Sequence, residues 1–157
     1  MSLGQKFGIT LVNLIIAIVF IAIAAFVVFH KLFALSGQVR AMEVEPQAGK
    51  WNKMHLAYAL EYEKLGSFRD IGYVPHGEVM KEGEASRSST FSYSSDLING
   101  KGRFLAVNRK TLDACKKYDG QWFAYINPEQ MIGNAVAEAP IKRCAVLTPN
   151  FELLREF

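Results

Sequence analysis

The sequence predicts an α+β fold: a long N-terminal helix, transmembrane and then amphipathic, packed on a small antiparallel β-sheet. Three observations predict it. An unbroken apolar run lies near the start of the chain. A stripe of large residues follows at three- and four-residue steps. The last third carries short segments of strand character separated by turn signals. The length of 157 residues suits one compact domain. Half of the residues are hydrophobic, but they crowd at one end, so the chain has two compositional regimes.

The first element is the apolar run. From Phe7 to His30 there is no Asp, Glu, Lys or Arg, and Leu14 to Phe29 is apolar without a break. Crossing a hydrocarbon core of about 30 Å takes about 20 apolar residues. Ile9 to Phe29 supplies them, with only Thr10 and Asn13 polar. The run is apolar all round, which argues against a helix shared between two soluble cores. A cleaved secretory signal has a shorter apolar centre, roughly 7–15 residues, and a small-residue cleavage site after it. Ala34-Leu35-Ser36-Gly37 matches such a site poorly. Lys6 competes with Lys31 and Arg40 for orientation. The short N-terminus and the two cysteines favour export of the C-terminal part.

Next comes the stripe. Trp51, Met54, His55, Tyr58, Tyr62 and Leu65 recur with helical spacing, a face on which a sheet would pack. Helix throughout, Ile9 to Leu65 would run about 85 Å. Gly37, Pro46 and Gly49 interrupt the pattern, and a kink or break is expected near Pro46, which lacks an amide donor. Gly66 is the expected helix cap.

The remainder is a small β region. Ser67 to Ser89 reads as a long loop rich in Gly, Ser and charge. Thr90–Ser94, Arg103–Val107, Gln121–Ile126 and Arg143–Leu147 read as strands. Phe91 and Tyr93 share one face of the first; Trp122, Ala124 and Ile126 share one face of the third. Asn99-Gly100-Lys101-Gly102 and Tyr118-Asp119-Gly120 are turn signals. If this part is exported, a single disulfide is the natural use of Cys115 and Cys144. It would close a loop of about 30 residues and contribute roughly 3–4 kcal/mol. The rival readings are two buried thiols or a metal pair with histidine. His30, His55 and His76 are remote in sequence, and no Cys-x-x-Cys spacing exists.

Lys6-Phe7-Gly8-Ile9-Thr10-Leu11-Val12-Asn13-Leu14-Ile15 resembles the prepilin signature of type IV pilins and type II secretion pseudopilins. The order of parts resembles the family too: short leader, apolar helix, amphipathic extension, small domain with a cysteine pair. The resemblance implies cleavage by a prepilin peptidase between Gly8 and Ile9, with N-methylation of Ile9. It implies filament assembly through Thr10, Leu11, Val12, Asn13 and Leu14. Ile9 stands where Phe is common, and Asn13 stands where the family usually has Glu. That carboxylate is thought to meet the N-terminal amine of a neighbouring subunit, and an ammonium buried without a partner costs several kcal/mol. Asn13 keeps a carbonyl acceptor but no charge. It marks a minor or tip subunit, or a filament that neutralises the amine otherwise.

The implied organisation is a leader (1–8), a membrane and filament-core helix (9–30), an amphipathic continuation (31–65) and a pilin-like antiparallel β domain with a disulfide (66–157). The implied partners are other filament subunits, the peptidase and inner-membrane assembly machinery. The implied location is the inner membrane before assembly, and an extracellular pilus or periplasmic pseudopilus after it. Two other readings stand beside this one. A binding module would present Arg103, Arg109, Lys110, Lys116 and Lys117 to DNA or a surface, with steep salt dependence. A plain signal-anchored protein would keep its N-terminus and expose a domain, and Asn13 would then be a helix cap.

No nucleophile elbow, phosphate-cradling loop or His-Glu-x-x-His motif is present, and Glu61 and Glu63 fall on different helix faces. No enzyme, cofactor or metal is expected. Pseudopilins often bind calcium, but Asp70, Asp96, Asp113 and Asp119 are scattered. The net charge of +3 is mild, so it excludes nothing by itself.

Overall fold

A computed structural model describes residues 3–126, 136–138 and 141–156. The architecture is α+β. Helix α1 spans Leu3–Ala41 and α2 spans Val44–Tyr62. Six strands follow: β1 Glu78–Met80, β2 Ala85–Arg87, β3 Phe91–Ile98, β4 Lys101–Asn108, β5 Gln121–Ile126 and β6 Val136–Glu138. A short helix, α3, covers Lys142–Ala145, and a 3-10 turn at Phe151–Glu156 ends the described chain. Two compact units divide between Ser36 and Gly37.

The first unit is the apolar part of α1. Thr10–Leu32 forms helix with no buried residue; only Ala25 is even half-covered. This helix is long and apolar enough to cross a membrane. Its physical basis is plain: the helix satisfies its backbone hydrogen bonds internally, and from Leu14 to Phe29 every side chain is apolar.

The second unit starts inside the same helix. α1 stops at Ala41, and the turn at Met42–Glu43 precedes α2. Pro46 explains the position of this break. It has no N–H to give the Met42 carbonyl four residues back, and its ring crowds that carbonyl. Pro46 itself sits in the first turn of α2, where a missing N–H costs nothing. Gly37 does not interrupt the helix. It lies within α1, where a Cβ would overlap the Asp113 carboxylate, so the glycine admits a close approach of that loop. α2 ends earlier than Gly66: Glu63 takes the left-handed cap conformation (φ 53°) and returns its N–H to the Ala59 carbonyl at 2.9 Å.

The sheet is an antiparallel meander in chain order, β1 to β6. Asn99 and Gly100, both at positive φ, make the tight β3–β4 turn that the sequence signals. Tyr118, at φ 68°, turns the chain before β5. On the covered face, large and small side chains alternate across strands: Tyr93, Ala106 and Trp122 stand in one row, Phe104 and Ala124 in the next. The rings therefore interleave. Phe91 meets Trp122 edge-on at 5.2 Å, and Trp51 of α2 reaches Phe104 at 5.7 Å.

Three expectations need correction. The face that α2 buries carries Val44, Ala48, Trp51, Asn52, His55 and Ala59, while Met54 and Tyr62 are exposed. Trp51 and His55 of the expected stripe are fully buried, Tyr58 and Leu65 pack against the core, and the small residues Ala48 and Ala59 complete the face. The segment Ser67–Ser89 is no plain loop, because it contains β1 and β2, which extend the ladder from β3. Arg143–Leu147 is not a strand; it overlaps α3, whose Cys144 and Ala145 amides both return to the Ile141 carbonyl.

Candidate functional site

Two regions carry the residues singled out by sequence. The first is the start of α1. Gly8 and Ile9 lie in its helical backbone, and the Ile9 side chain falls outside the described residues. Thr10, Leu11, Val12, Asn13 and Leu14 follow in the same helix and are all exposed. Asn13 therefore sits within a helix rather than at its cap. It is the one amide on a surface otherwise built from Leu11, Val12, Leu14, Ile15 and Ile16. Such a surface can do one thing chemically: it leaves water for lipid or for other apolar helices.

The second region is the loop between β4 and β5. Cys115 and Cys144 are joined in a disulfide, both fully buried, with Cα atoms 4.9 Å apart. The disulfide thus ties the loop to α3. A buried asparagine organises the same loop. Asn108 Nδ2 donates to the carbonyls of Lys110 and Lys116, each at 2.8 Å, and Asn108 Oδ1 accepts the Gly120 N–H at 2.8 Å. Its side chain was not singled out in sequence, because an Asn at a strand end signals only a turn. Trp122 Nε1 donates to Thr148 Oγ1 at 2.7 Å and fixes the chain beyond α3.

The basic cluster divides in the structure. Arg103 lies on the open face of β4, where its Nε donates to Asp96 Oδ1 at 2.8 Å and its guanidinium stands 5.7 Å from the Phe123 ring. Asp96 holds the Arg103 pKa above its ordinary value. Arg109 Nη1 donates to the Ser88 carbonyl at 2.6 Å. Lys110, Lys116 and Lys117 remain exposed on the loop.

The histidines and acids stay apart. His55 is fully buried, beneath Gly102 and edge-on to Trp51. Burial lowers its pKa to about 4, against a weaker pull from Asp70. His76 belongs to a network that sequence reasoning missed. Gln47 Nε2 lies 3.0 Å from His76 Nδ1, so Nδ1 accepts and Nε2 carries the proton toward Glu43, 3.6 Å away. Tyr73 donates to Gln47 Oε1 at 2.6 Å and Tyr93 donates to Glu43 Oε1 at 2.8 Å. Burial pushes the Tyr73 phenol up to about 12. This network holds the segment before β1 against the start of α2.

Among the described residues, no three His, Cys, Asp or Glu side chains gather as metal ligands. Asp70 caps the Ser67 amide, and Asp119 pairs with Arg143. A shallow groove of about 480 Å³ beside α2 is lined by Glu45, Pro46, Gly49, Asn52 and Leu154, together with Lys50 and Lys53. Burial raises the Glu45 pKa there, with a backbone hydrogen bond from Asn150 working against it. Comparison of the chain with protein-family models, with curated proteins and with solved structures finds no match.

Proposed function

We propose that the chain is a structural subunit of a type IV pilus or related filament, processed between Gly8 and Ile9. The observation that carries this reading is the surface of α1. Leu11 to Leu32 presents a helix whose large apolar side chains, from Leu14 and Ile15 to Phe26 and Phe29, are about half exposed or more. Apolar area of this kind leaves water at roughly 25 cal/mol per Å². Lipid satisfies it before assembly, and the same helix of neighbouring copies satisfies it afterwards. The segment Gly8-Ile9-Thr10-Leu11-Val12-Asn13-Leu14 supports processing, because it combines a leader ending in Gly with the family's apolar order. The partners are then other copies, a prepilin peptidase and inner-membrane machinery. The subunit sits in the inner membrane first and in a pilus or pseudopilus later.

Asn13 favours a minor or tip subunit, or a pseudopilin, within that class. An amide can accept a hydrogen bond from a neighbour's ammonium but does not neutralise it. Such a subunit fits where only one or few copies must be accommodated.

The test is co-expression of the full chain with a prepilin peptidase, followed by intact mass and N-terminal sequencing. An N-terminus at Ile9 carrying one methyl group is expected. A membrane-bound chain that still begins at Met1 or Ser2 would sink the filament reading and leave a signal-anchored protein with an exposed domain.

A further inference from the structure

We infer that the disulfide-tied loop between β4 and β5, together with α3, forms a docking surface for an anionic lipid headgroup layer. The inference rests on α1 residing in a membrane, not on processing or filament assembly.

Charge is the first observation. Residues 109–119 and 141–146 hold Arg109, Lys110, Lys116, Lys117, Lys142 and Arg143 against Asp113 and Asp119. Six cations less two carboxylates make +4, whereas the whole chain carries only +3. Everything outside these two short segments therefore sums to slightly negative. Three of the six cations are engaged, Arg109 on the Ser88 carbonyl, Arg143 on Asp119 and Lys117 over the neighbouring Tyr118 ring at 4.8 Å. Lys110, Lys116, Lys117 and Lys142 are exposed.

The patch is also built, not merely a run of solvated lysines. Asn108 Nδ2 draws the Lys110 and Lys116 carbonyls to one point, each 2.8 Å away. The Cys115–Cys144 bridge then places the Lys116-Lys117 pair beside Lys142 and Arg143. Exposed apolar and aromatic side chains flank it: Tyr118 is 57%, Ile141 52% and Val146 73% exposed. Val146 follows Lys142 by four residues, one helical turn along, so the two share a side. Lysines beside a tyrosine and bare aliphatic groups suit the boundary between headgroups and acyl chains. A nucleic-acid backbone has no use for Ile141 and Val146.

Position along the chain is the third observation. Asp113 of this loop abuts Gly37 of α1. Gly37 follows Phe29, the last residue of the apolar run, by eight residues. Even fully extended, eight residues reach only about 28 Å. The loop is thus tied to the chain at a point only eight residues beyond the apolar run. Lys31 and Arg40 add positive charge to the same stretch of chain. Each cation held at an anionic surface strengthens association, within a Debye length of about 10 Å.

The experiment reconstitutes the full, oxidised chain in lipid nanodiscs. One set is phosphatidylcholine alone; the other contains about 30% phosphatidylglycerol. Amide hydrogen exchange is followed by mass spectrometry. Protection of 14–29 in both discs verifies membrane residence independently. The expected result is that exchange in 109–119 and 141–147 slows by roughly tenfold in the anionic discs only. About 0.5 M salt should abolish the difference. So should the triple variant Lys116→Glu/Lys117→Glu/Lys142→Glu, whose sites are all exposed, and the triple Lys→Gln variant should weaken it. Protected 14–29 with an unchanged loop would overturn the inference and leave the membrane helix standing. Unprotected 14–29 would remove both. Loop protection on adding duplex DNA to the neutral discs, with none from phosphatidylglycerol, would assign the patch to nucleic acid and overturn it equally.

Discussion

Acid should unfold the second unit through His55, and the size of the effect follows from its surroundings. Its ring is fully buried between Trp51, 4.8 Å away, and Gly102 of β4. Nε2 accepts the Gly66 N–H at 3.2 Å, so this nitrogen carries no proton in the folded state. Protonation would forfeit that acceptor and place a cation among aromatic rings. The folded pKa is accordingly about 4, against an ordinary 6.5. Below pH 6.5 the unfolded chain takes up a proton that the folded chain refuses. Stability is therefore complete above that pH and falls as pH drops toward 4. One pKa unit is worth about 1.4 kcal/mol, so the full loss is roughly 3 kcal/mol. Glu45 works the other way, since burial raises its pKa and folding then binds a proton in the same acid range. The comparison that isolates His55 is the wild-type chain against His55→Gln, in which the amide can still accept from Gly66. Urea unfolding of both in neutral detergent micelles, read by the fluorescence of Trp51 and Trp122, gives the free energy at each pH. The wild-type curve should lose roughly 3 kcal/mol more than the variant between pH 6.5 and 4. Parallel curves would refute the buried-imidazole argument.

Other perturbations have defined outcomes in the same assay. Replacing both Cys115 and Cys144 by Ser opens a link of sequence separation 29 and should cost about 3.6 kcal/mol on the chain-entropy account; a loss under about 1 kcal/mol would show that the loop is held without it. Gly102→Ala puts a Cβ 2.6 Å from His55 Cε1, so overpacking of about 1–3 kcal/mol is expected, and His55→Ala in the same chain should relieve most of it. Asn108→Ala strands two carbonyls and the Gly120 amide, for a loss of about 2–4 kcal/mol and faster amide exchange confined to 109–120. Pro46→Ala restores the donor that the Met42 carbonyl lacks; exchange at residues 42–46 should slow severalfold, and unchanged exchange would mean that the turn is set elsewhere.

What the sequence disclosed depended on how the signal is carried. The apolar helix, the strands with alternating aromatics and the cysteine pair all rest on side-chain chemistry that is visible in composition or spacing. Phe91 and Tyr93, or Trp122, Ala124 and Ile126, reveal their face directly. β1 and β2 do not: Glu78-Val79-Met80 and Ala85-Ser86-Arg87 are too short and too polar to show alternation, and they exist because β3 offers an edge to pair with. Arg143–Leu147 misled for the converse reason. Its composition suits a strand, but the bridge to Cys115 and the hydrogen bond from Trp122 to Thr148 hold the chain in a helical turn. The stripe along α2 and just past its end was legible in Trp51, His55, Tyr58 and Leu65, which lie in or against the core, but Met54 and Tyr62 are exposed and Val44, Ala48, Asn52 and Ala59 complete the buried face. At the basic loop, sequence showed the charges but not their sorting, since only the fold separates Arg103 from Lys116.

Gly37 and Pro46 show why one helical stretch serves two different surroundings. On the α1 side every large side chain from Leu11 to Leu32 is exposed, and the helix holds together by its own hydrogen bonds. Beyond Gly37 the chain is buried on one side by its own sheet, and Ala41 and Val44 are fully covered. The change needs no linker. A glycine lets the Asp113 loop approach the helix, and Pro46 sits in the first turn of α2, just after the break. The consequence for the proposed filament is a division of labour along the chain. The first unit, whose side chains from Leu11 to Leu32 are exposed apart from the half-covered Ala25, can exchange lipid for protein neighbours. The second unit keeps its disulfide and the Asn108 hydrogen bonds through the same exchange. Thr10 and Asn13 are then the polar side chains of the apolar run whose surroundings change on assembly, and Asn13 is the one that carries an amide.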